Sequence, residues 1–145
     1  MDSADAFHPA SARSAGVRLD RVLWARPPGV AEAVRASERL LLARGFAAVL
    51  LDASMRDAEW QALPAAVWQR LTRTAAAGGT ALIVVSLRRV TGPNADFALG
   101  LQPILARFSG TPSLFEGLEV EAAIARRRRG PTGRAAKVAL QAASD

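Results

Sequence analysis

The sequence predicts an α/β protein with a mostly parallel sheet, flanked by helices and followed by a C-terminal antiparallel hairpin. Two continuous apolar runs, 46–51 and 80–85, are typical of parallel strands that are buried on both faces. Helical spacing of apolar residues precedes each run, and an alternating stretch near the C-terminus indicates a strand with one wet face. This order favours a single domain over residues 1–145.

The first half of the chain holds short elements and one longer helix. Residues 8–16 are predicted to form a short helix that ends at Gly16. Residues 21–26 are predicted to form a short strand, which the two following prolines stop. A helix is then predicted over 30–44, with Gly45 as its C-terminal breaker.

The second half continues the alternation and then turns antiparallel. A helix is predicted over 57–77, and Pro64 either kinks it or begins its main body after a looser turn. A weaker helical stretch is predicted over 95–108. Residues 118–125 alternate as a strand, and after a Gly/Pro-rich turn residues 135–140 return as the second arm of a hairpin.

Composition excludes several classes of protein. The chain has no cysteine, which removes disulfides, thiolate catalysis and zinc–cysteine sites. No apolar run approaches the roughly 20 residues that a membrane span needs, and the polar, acidic start lacks a secretory signal. We therefore expect a cytoplasmic protein that does not bind membranes.

The basic charge is concentrated near the C-terminus. The formal net charge is +6; residues 1–121 hold 13 basic against 12 acidic residues, whereas residues 122–145 hold 6 against 1. We define residues 126–134 as the basic turn. The six basic residues of 122–145 are Arg126, Arg127, Arg128, Arg129, Arg134 and Lys137. They could contact nucleic-acid phosphates or an acidic partner, or they could form a solvated hairpin tip.

One stretch of the chain carries a family resemblance. Residues 12–23, Ala-Arg-Ser-Ala-Gly-Val-Arg-Leu-Asp-Arg-Val-Leu, are similar to the pattern Ala-Arg-x-Leu-Gly-Val-Asp-x-Asp-x-Leu-Leu of the RecA-type P-loop ATPases. Residues 1–9 resemble the strand end and acidic turn of that family, and residues 48–52 resemble its Walker B strand. The resemblance covers nearly the whole chain. It implies a reduced RecA-like core that lacks the P-loop portion.

Within that family the sequence resembles ImuA-like and SulA-like proteins more than a working recombinase. Residues 19–24 and the basic ending 125–134 resemble ImuA sequences, which belong to accessory factors of error-prone translesion synthesis. The resemblance implies a non-catalytic interaction module in bacterial DNA-damage tolerance and the SOS response. Its expected partners are RecA-type recombinase or translesion polymerase proteins.

The residues that ATP hydrolysis needs are replaced. No Gly-x-x-x-x-Gly-Lys-Ser/Thr stretch exists to hold phosphates. By the resemblance, the general-base glutamate falls on Ala4, the serine after the Walker B strand on Ala53, and the γ-phosphate-sensing glutamine near Leu87. Asp52 occupies the Walker B position as a vestige, or is simply a solvated strand end. We expect no catalytic residue, no metal site and no cofactor.

Other chemistry-bearing side chains favour structural roles. His8, the only histidine, is interpreted as a surface or capping residue. Trp60 and Trp68 lie eight residues apart on one helix face, which favours the core, as does the position of Trp24 in a predicted strand. Any of the three tryptophans could instead anchor a partner.

The resemblance also implies a missing neighbour. In RecA-like sheets the strand matching 80–85 lies between the Walker B strand and the P-loop strand, and the latter is absent from this sequence. An exposed apolar edge pairs readily with other chains. The 118–125 strand could cover the edge, which we favour; otherwise another chain donates a strand, through self-association or a partner, or the sequence is part of a longer protein.

Two further functions remain open from the sequence. The first alternative is a nucleic-acid-binding module that uses the basic turn, and the second is a residual nucleotide-binding ATPase fragment. Binding to DNA weakens steeply with salt, whereas a packed protein interface weakens much less. Salt dependence therefore separates the nucleic-acid module from the interaction module.

Overall fold

The computed structural model describes residues 1–128 and 130–142 and shows a mixed α/β protein. Its described strands form two separate sheets, one parallel with two strands and one antiparallel with three. Two compact units result, Met1–Arg13 with Val17–Asn94 and Ser14–Gly16 with Ala95–Asp145. The prediction of a mostly parallel sheet is therefore wrong, because the antiparallel sheet is the larger of the two.

The first unit carries the parallel sheet and its helices. In chain order its regular elements are α1 Pro9–Ser14, α2 Val30–Ala43, β1 Ala48–Asp52, α3 Asp57–Gln61, α4 Ala65–Gly78 and β2 Ala81–Val85. Single turns of 3-10 helix lie at Leu19–Arg21 and Gly92–Asn94. β1 and β2 pair in parallel, with Leu50 opposite Ile83. On the other side of β1, Asp2 forms an isolated parallel bridge with Asp52.

Helices α2 and α4 pack on the parallel sheet, as the helical spacing of their apolar residues predicts. The buried apolar side chains of this core are Val30, Ala33, Val34, Leu41, Val49, Leu51, Ala53, Trp60, Trp68, Leu71, Ala75 and Val90. The core positions predicted for Trp60 and Trp68 are confirmed. The helix predicted over 57–77 is instead two helices, α3 and α4, and Pro64 is the N-cap of the second. Proline lacks an N–H to donate, so it fits a helix start and not an interior.

The prediction that both parallel strands are buried on both faces is wrong. Val49 and Leu51 are 4% and 0% exposed, but Leu50 between them is 50% exposed. On β2, Ile83 and Val85 are 46% and 48% exposed. The helices cover only one face, so side chains that alternate along each strand divide between the core and the uncovered face.

The second unit is an antiparallel sheet in the order β3–β4–β5. Its strands are β3 Phe97–Ser109, β4 Leu114–Arg127 and β5 Ala135–Gln141. The predicted hairpin of 118–125 with 135–140 is confirmed by β4 and β5. The helix predicted over 95–108 is wrong, because this segment is β3. A proline such as Pro103 costs roughly 3 kcal/mol inside a helix, whereas it is tolerated in an edge strand.

Two further predictions need correction. The 118–125 strand does not lie beside β2, because β4 has β3 and β5 as its neighbours. Because residues 97–109 form a strand, β4 pairs with β3, which is close in sequence, and not with β2. The strand predicted over 21–26 is also absent: a turn of 3-10 helix ends at Arg21, and the following residues join no sheet. Trp24 is 40% exposed, so its predicted core position is wrong.

Candidate functional site

Asp52, which the resemblance matches to a Walker B position, lies at the carboxyl end of β1. One carboxylate oxygen of Asp52, Oδ1, accepts a hydrogen bond from the Ser54 backbone N–H at 2.8 Å. The Asp52 N–H donates to the Met1 carbonyl at 2.9 Å, and the Ser3 hydroxyl donates to the Asp52 carbonyl at 2.8 Å. Asp52 therefore caps the turn after its own strand, while its backbone joins β1 to the segment that begins at Met1.

A second carboxylate, which sequence reasoning missed, organises this end of the sheet. Asp2 is 6% exposed. Its Oδ1 accepts the Ala6 N–H at 2.9 Å, and its Oδ2 accepts the Phe7 N–H and the Trp24 indole N–H, each at 3.0 Å. Burial acts to raise the pKa of Asp2, but the three hydrogen bonds outweigh it and hold the pKa below its ordinary value.

Trp24 joins the segment after the 3-10 turn to the start of the chain. Its ring contacts Phe7 edge to face, with centroids 5.4 Å apart, and the Arg26 guanidinium lies 4.7 Å from the ring centroid. Arg26 also pairs with Asp5 at 3.2 Å. A cation over an aromatic face is attractive. These contacts give Trp24 a structural role at the surface.

The described residues offer little for metal or proton chemistry. No group of three or more His, Asp or Glu side chains within 1–128 and 130–142 could hold a metal ion. His8 Nδ1 accepts the Ser11 N–H at 3.2 Å, three residues into the first turn of α1. This is the geometry of an N-terminal cap, which confirms the capping interpretation of His8.

The outer edge of β2 carries backbone groups with no strand beside them among the described residues. Ala81 donates its N–H to Ala47, and Val85 accepts from the Ala53 N–H, so these residues face β1. Backbone N–H and C=O groups alternate in direction from one residue of a strand to the next, so Ile83 also faces β1. The N–H and C=O groups of Leu82 and Val84 therefore point to the open edge.

An apolar face lies next to that edge. The register places Leu50 beside Ile83 and Ala48 beside Ala81, with Val85 at the far end. We call these five residues the open face of the parallel sheet. Its three large side chains are each about half exposed. Parallel sheets in proteins normally have both faces covered. The open edge and the open face together form an unpartnered apolar surface.

The basic turn divides into anchored and exposed residues. Arg126 Nε donates to the Ala95 carbonyl at 3.1 Å, and Arg128 pairs with Asp96 at 2.8 Å. The Arg128 backbone N–H also donates to the Asp96 carbonyl. These two arginines tie the end of β4 to the residues that precede β3, a role that the sequence pattern did not indicate.

Three other basic residues have side chains exposed to solvent. Arg127 packs beside Gly130, whose φ of +108 favours a residue without a Cβ. Arg134 immediately precedes β5, and Lys137 lies within β5. None of the three forms a side-chain hydrogen bond or ion pair with another residue in the described ranges. The sixth predicted residue, Arg129, lies outside the described residues.

No family model matches this chain, and no curated protein matches it at significant similarity. Among the helices that the structure describes, none combines the length and the apolar character needed to cross a membrane.

Proposed function

We propose that the chain is a non-catalytic, RecA-like interaction module of bacterial DNA-damage tolerance. It binds a RecA-type recombinase or a translesion polymerase protein, and the partner extends the parallel sheet at the open edge of β2. The observation that carries this proposal is the outer edge of β2, which no strand within 1–128 and 130–142 pairs, together with the exposed Leu50, Ile83 and Val85.

The strand order supports the RecA-like part of the proposal. The Asp2 bridge, β1 and β2 lie side by side in parallel, and α2 precedes β1 as the family pattern requires of its Walker B strand. In that pattern the strand missing from this sequence would lie at the outer edge of β2. The open edge is therefore where the resemblance leaves a vacancy for a strand.

The local chemistry supports a non-catalytic role. Asp52 accepts a hydrogen bond from the turn that follows it, which is a structural use of the carboxylate. Ala4 stands at the general-base position and has no group that accepts a proton. A sequence without a general base and without a phosphate-binding loop favours binding of a partner over hydrolysis of ATP.

Strand addition explains how a partner would be recognised. An extended segment added to a sheet edge gains main-chain hydrogen bonds, and alternate side chains supply specificity. Here Leu82 and Val84 offer the backbone groups, while Ile83 and Val85 offer apolar contacts on the open face. The partner segment should thus be extended and apolar on the side that covers this face.

A charged substitution on the open face tests the proposal. Ile83→Lys leaves the backbone unchanged but places an ammonium in the contact, so the affinity for the partner should fall at least about tenfold, since burying an unpaired charge is costly. Binding is measured by biolayer interferometry against recombinase filaments on single-stranded DNA and against translesion polymerase proteins.

Leu42→Lys is the matched control, because Leu42 is 65% exposed on α2 and away from the open face. It should bind like the unmodified chain. Equal binding by Ile83→Lys, or no binding of either partner class by the unmodified chain, would contradict the proposal.

A nucleic-acid-binding module is the second candidate. The observation that favours it is the exposure of Arg127, Arg134 and Lys137 without partners in the described residues. Three such side chains could contact about three phosphates, enough for weak, salt-dependent binding. A residual nucleotide-binding fragment has no comparable support from the described residues.

A further inference from the structure

The antiparallel sheet has one apolar face. Residues that lie directly opposite each other on neighbouring strands project from the same face. The register aligns three rows on that face, in the order β3, β4, β5: Leu101, Ala122, Ala136; Pro103, Val120, Val138; and Ala106, Leu118, Leu140. The charged and amide side chains Gln102, Glu119, Glu121, Lys137 and Gln141 alternate with them and belong to the other face.

The rim of this apolar face is open to solvent. Val120 at its centre is 5% exposed, but Leu101, Val138 and Leu140 around it are 64%, 40% and 49% exposed. Leu99, the next residue outward on β3, is 55% exposed. Contiguous apolar surface of this kind marks an interaction site.

The two edges of the sheet discourage strand addition. β3 contains Pro103, which has no N–H to donate, and its register with β4 shifts at three places. β5 carries Lys137 on an edge whose residues are all exposed. Proline, irregular register and lysine are the devices that keep sheet edges from pairing. Association should therefore use the face and not the edges.

The pattern of side-chain sizes on the face is self-complementary. Consider a two-fold axis that is parallel to the face, perpendicular to the strands, and passes through the row that contains Val120. This axis places the Leu101 row of one copy against the Ala106 row of the second copy, and the reverse. On each strand a leucine then meets an alanine: Leu101 meets Ala106, Leu118 meets Ala122, and Leu140 meets Ala136. Large side chains opposite small ones interdigitate, as in packed sheets.

We propose that this face binds a second copy of the chain, giving a two-fold symmetric dimer of stacked sheets. The face carries no charged residue in its three rows, so identical copies meet without like-charge repulsion. This contact is independent of the partner proposed for β2.

The area of the face suits a weak dimer. Its three rows span residues 101–106, 118–122 and 136–140 of β3, β4 and β5. At about 3.4 Å per residue and about 4.8 Å between strands, they cover about 260 Å² in each copy. Two copies then bury about 520 Å², which is less than the roughly 1,000 Å² of a stable interface, so the dimer should form only at high protein concentration.

A lysine on the two-fold axis tests the dimer. Val138 faces its own copy across the axis, so Val138→Lys places two ammonium groups against each other and should raise the dimer dissociation constant at least about 100-fold. Ala139→Lys is the control, because Ala139 lies on the opposite face beside Glu119. Light scattering at rising protein concentration should approach twice 15.3 kDa for the unmodified chain and for Ala139→Lys.

A size exchange on β5 tests the arrangement itself. Ala136→Leu should clash with Leu140 of the second copy, and Leu140→Ala should leave a cavity, so each weakens the dimer about tenfold or more. The double variant restores one large and one small residue at each contact and should recover most of the affinity. Circular dichroism confirms folding of every variant.

A mass of 15.3 kDa at all concentrations would overturn the proposal. So would a dimer that Val138→Lys and Ala139→Lys affect equally, because that result places the contact elsewhere. If the double variant of Ala136 and Leu140 associates no better than the single variants, the two-fold arrangement is wrong.

Discussion

At the scale of single residues, Asp2 holds the first strand position of the parallel sheet in place. Its backbone N–H donates to the Ala25 carbonyl, and its carboxylate receives the N–H groups of Ala6, Phe7 and Trp24. One buried side chain thus joins the start of the chain, the turn that follows it and the segment around Trp24. Its role was not evident from the sequence, because the indole donor lies 22 residues away.

Asp2→Asn should destabilise the fold by about 1–3 kcal/mol at neutral pH. The amide keeps an oxygen for Ala6, but an NH₂ donor replaces Oδ2, which accepts from both Phe7 and Trp24. Urea denaturation monitored by tryptophan fluorescence measures the loss. Asp20→Asn is the control, because that carboxylate is 64% exposed and paired with Arg18 at the surface.

The deficit of Asp2→Asn should also depend on pH. The pKa of Asp2 is lower in the folded than in the unfolded protein. Its ionised form therefore stabilises the fold above the unfolded pKa of about 4, and this contribution is lost as pH falls through the folded pKa. The difference between the variant and the unmodified chain should shrink in acid, and a difference that stays constant down to low pH would argue against this role.

At the scale of elements, β4 and β5 come unusually close at Gly117. A Cβ at this position would overlap the Leu140 carbonyl oxygen and lie 3.3 Å from the Gln141 Cα. Gly117 is buried, and it pairs with Gln141 in the register. The close approach of the two backbones therefore requires a residue without a side chain.

Gly117→Ala should loosen the pairing of β4 with β5 and lower the free energy of unfolding by about 1–3 kcal/mol, the usual cost of overpacking. Gly100→Ala is the matched control in the same sheet, because its Cβ would meet nothing within 4 Å. That change should be neutral or slightly stabilising. Urea denaturation measures both, and an equal effect of the two would contradict the close approach.

Local patterns predicted most elements, but they failed where pairing decides the structure. The spacing of Trp60, Trp68 and Leu71 identified the buried helical faces, because helix periodicity is a property of neighbouring residues. β3 was missed, although Leu99 and Leu101 alternate with Gly100 and Gln102, because alanine and leucine also favour helices. Which strand would lie beside β2 depends on contacts distant in sequence, and no local signal contains that information.

The candidate surfaces were predicted only in part. The resemblance implied a vacant position beside 80–85, which we expected the 118–125 strand to fill, but no strand of the described residues lies there. The sequence did not indicate that Arg126 and Arg128 bind residues 95 and 96, since that contact follows from β3 being a strand. The sequence predicted only the part of the antiparallel sheet's apolar face that β4 contributes, because the alternation was recognised in 118–125 alone.

At the scale of the whole molecule, the proposed function depends on binding surfaces and not on a catalytic centre. No strand of the described residues lies at the outer edge of β2, and Leu50, Ile83 and Val85 are exposed. In the second unit, Arg127, Arg134 and Lys137 are exposed basic residues. The central claim is that a protein partner, not a nucleotide or a nucleic acid, completes the parallel sheet.

Hydrogen exchange at β2 tests that claim most directly. In the free chain the outward N–H groups of Leu82 and Val84 should exchange rapidly, whereas those of Ala81 and Ile83, which face β1, should be protected. Saturating recombinase filament or translesion polymerase protein should slow exchange at Leu82 and Val84 at least about tenfold, with no such effect from ATP and magnesium. Unchanged exchange at Leu82 and Val84 with the partner bound, or protection confined to residues 126–137 on adding single-stranded DNA, would contradict the claim.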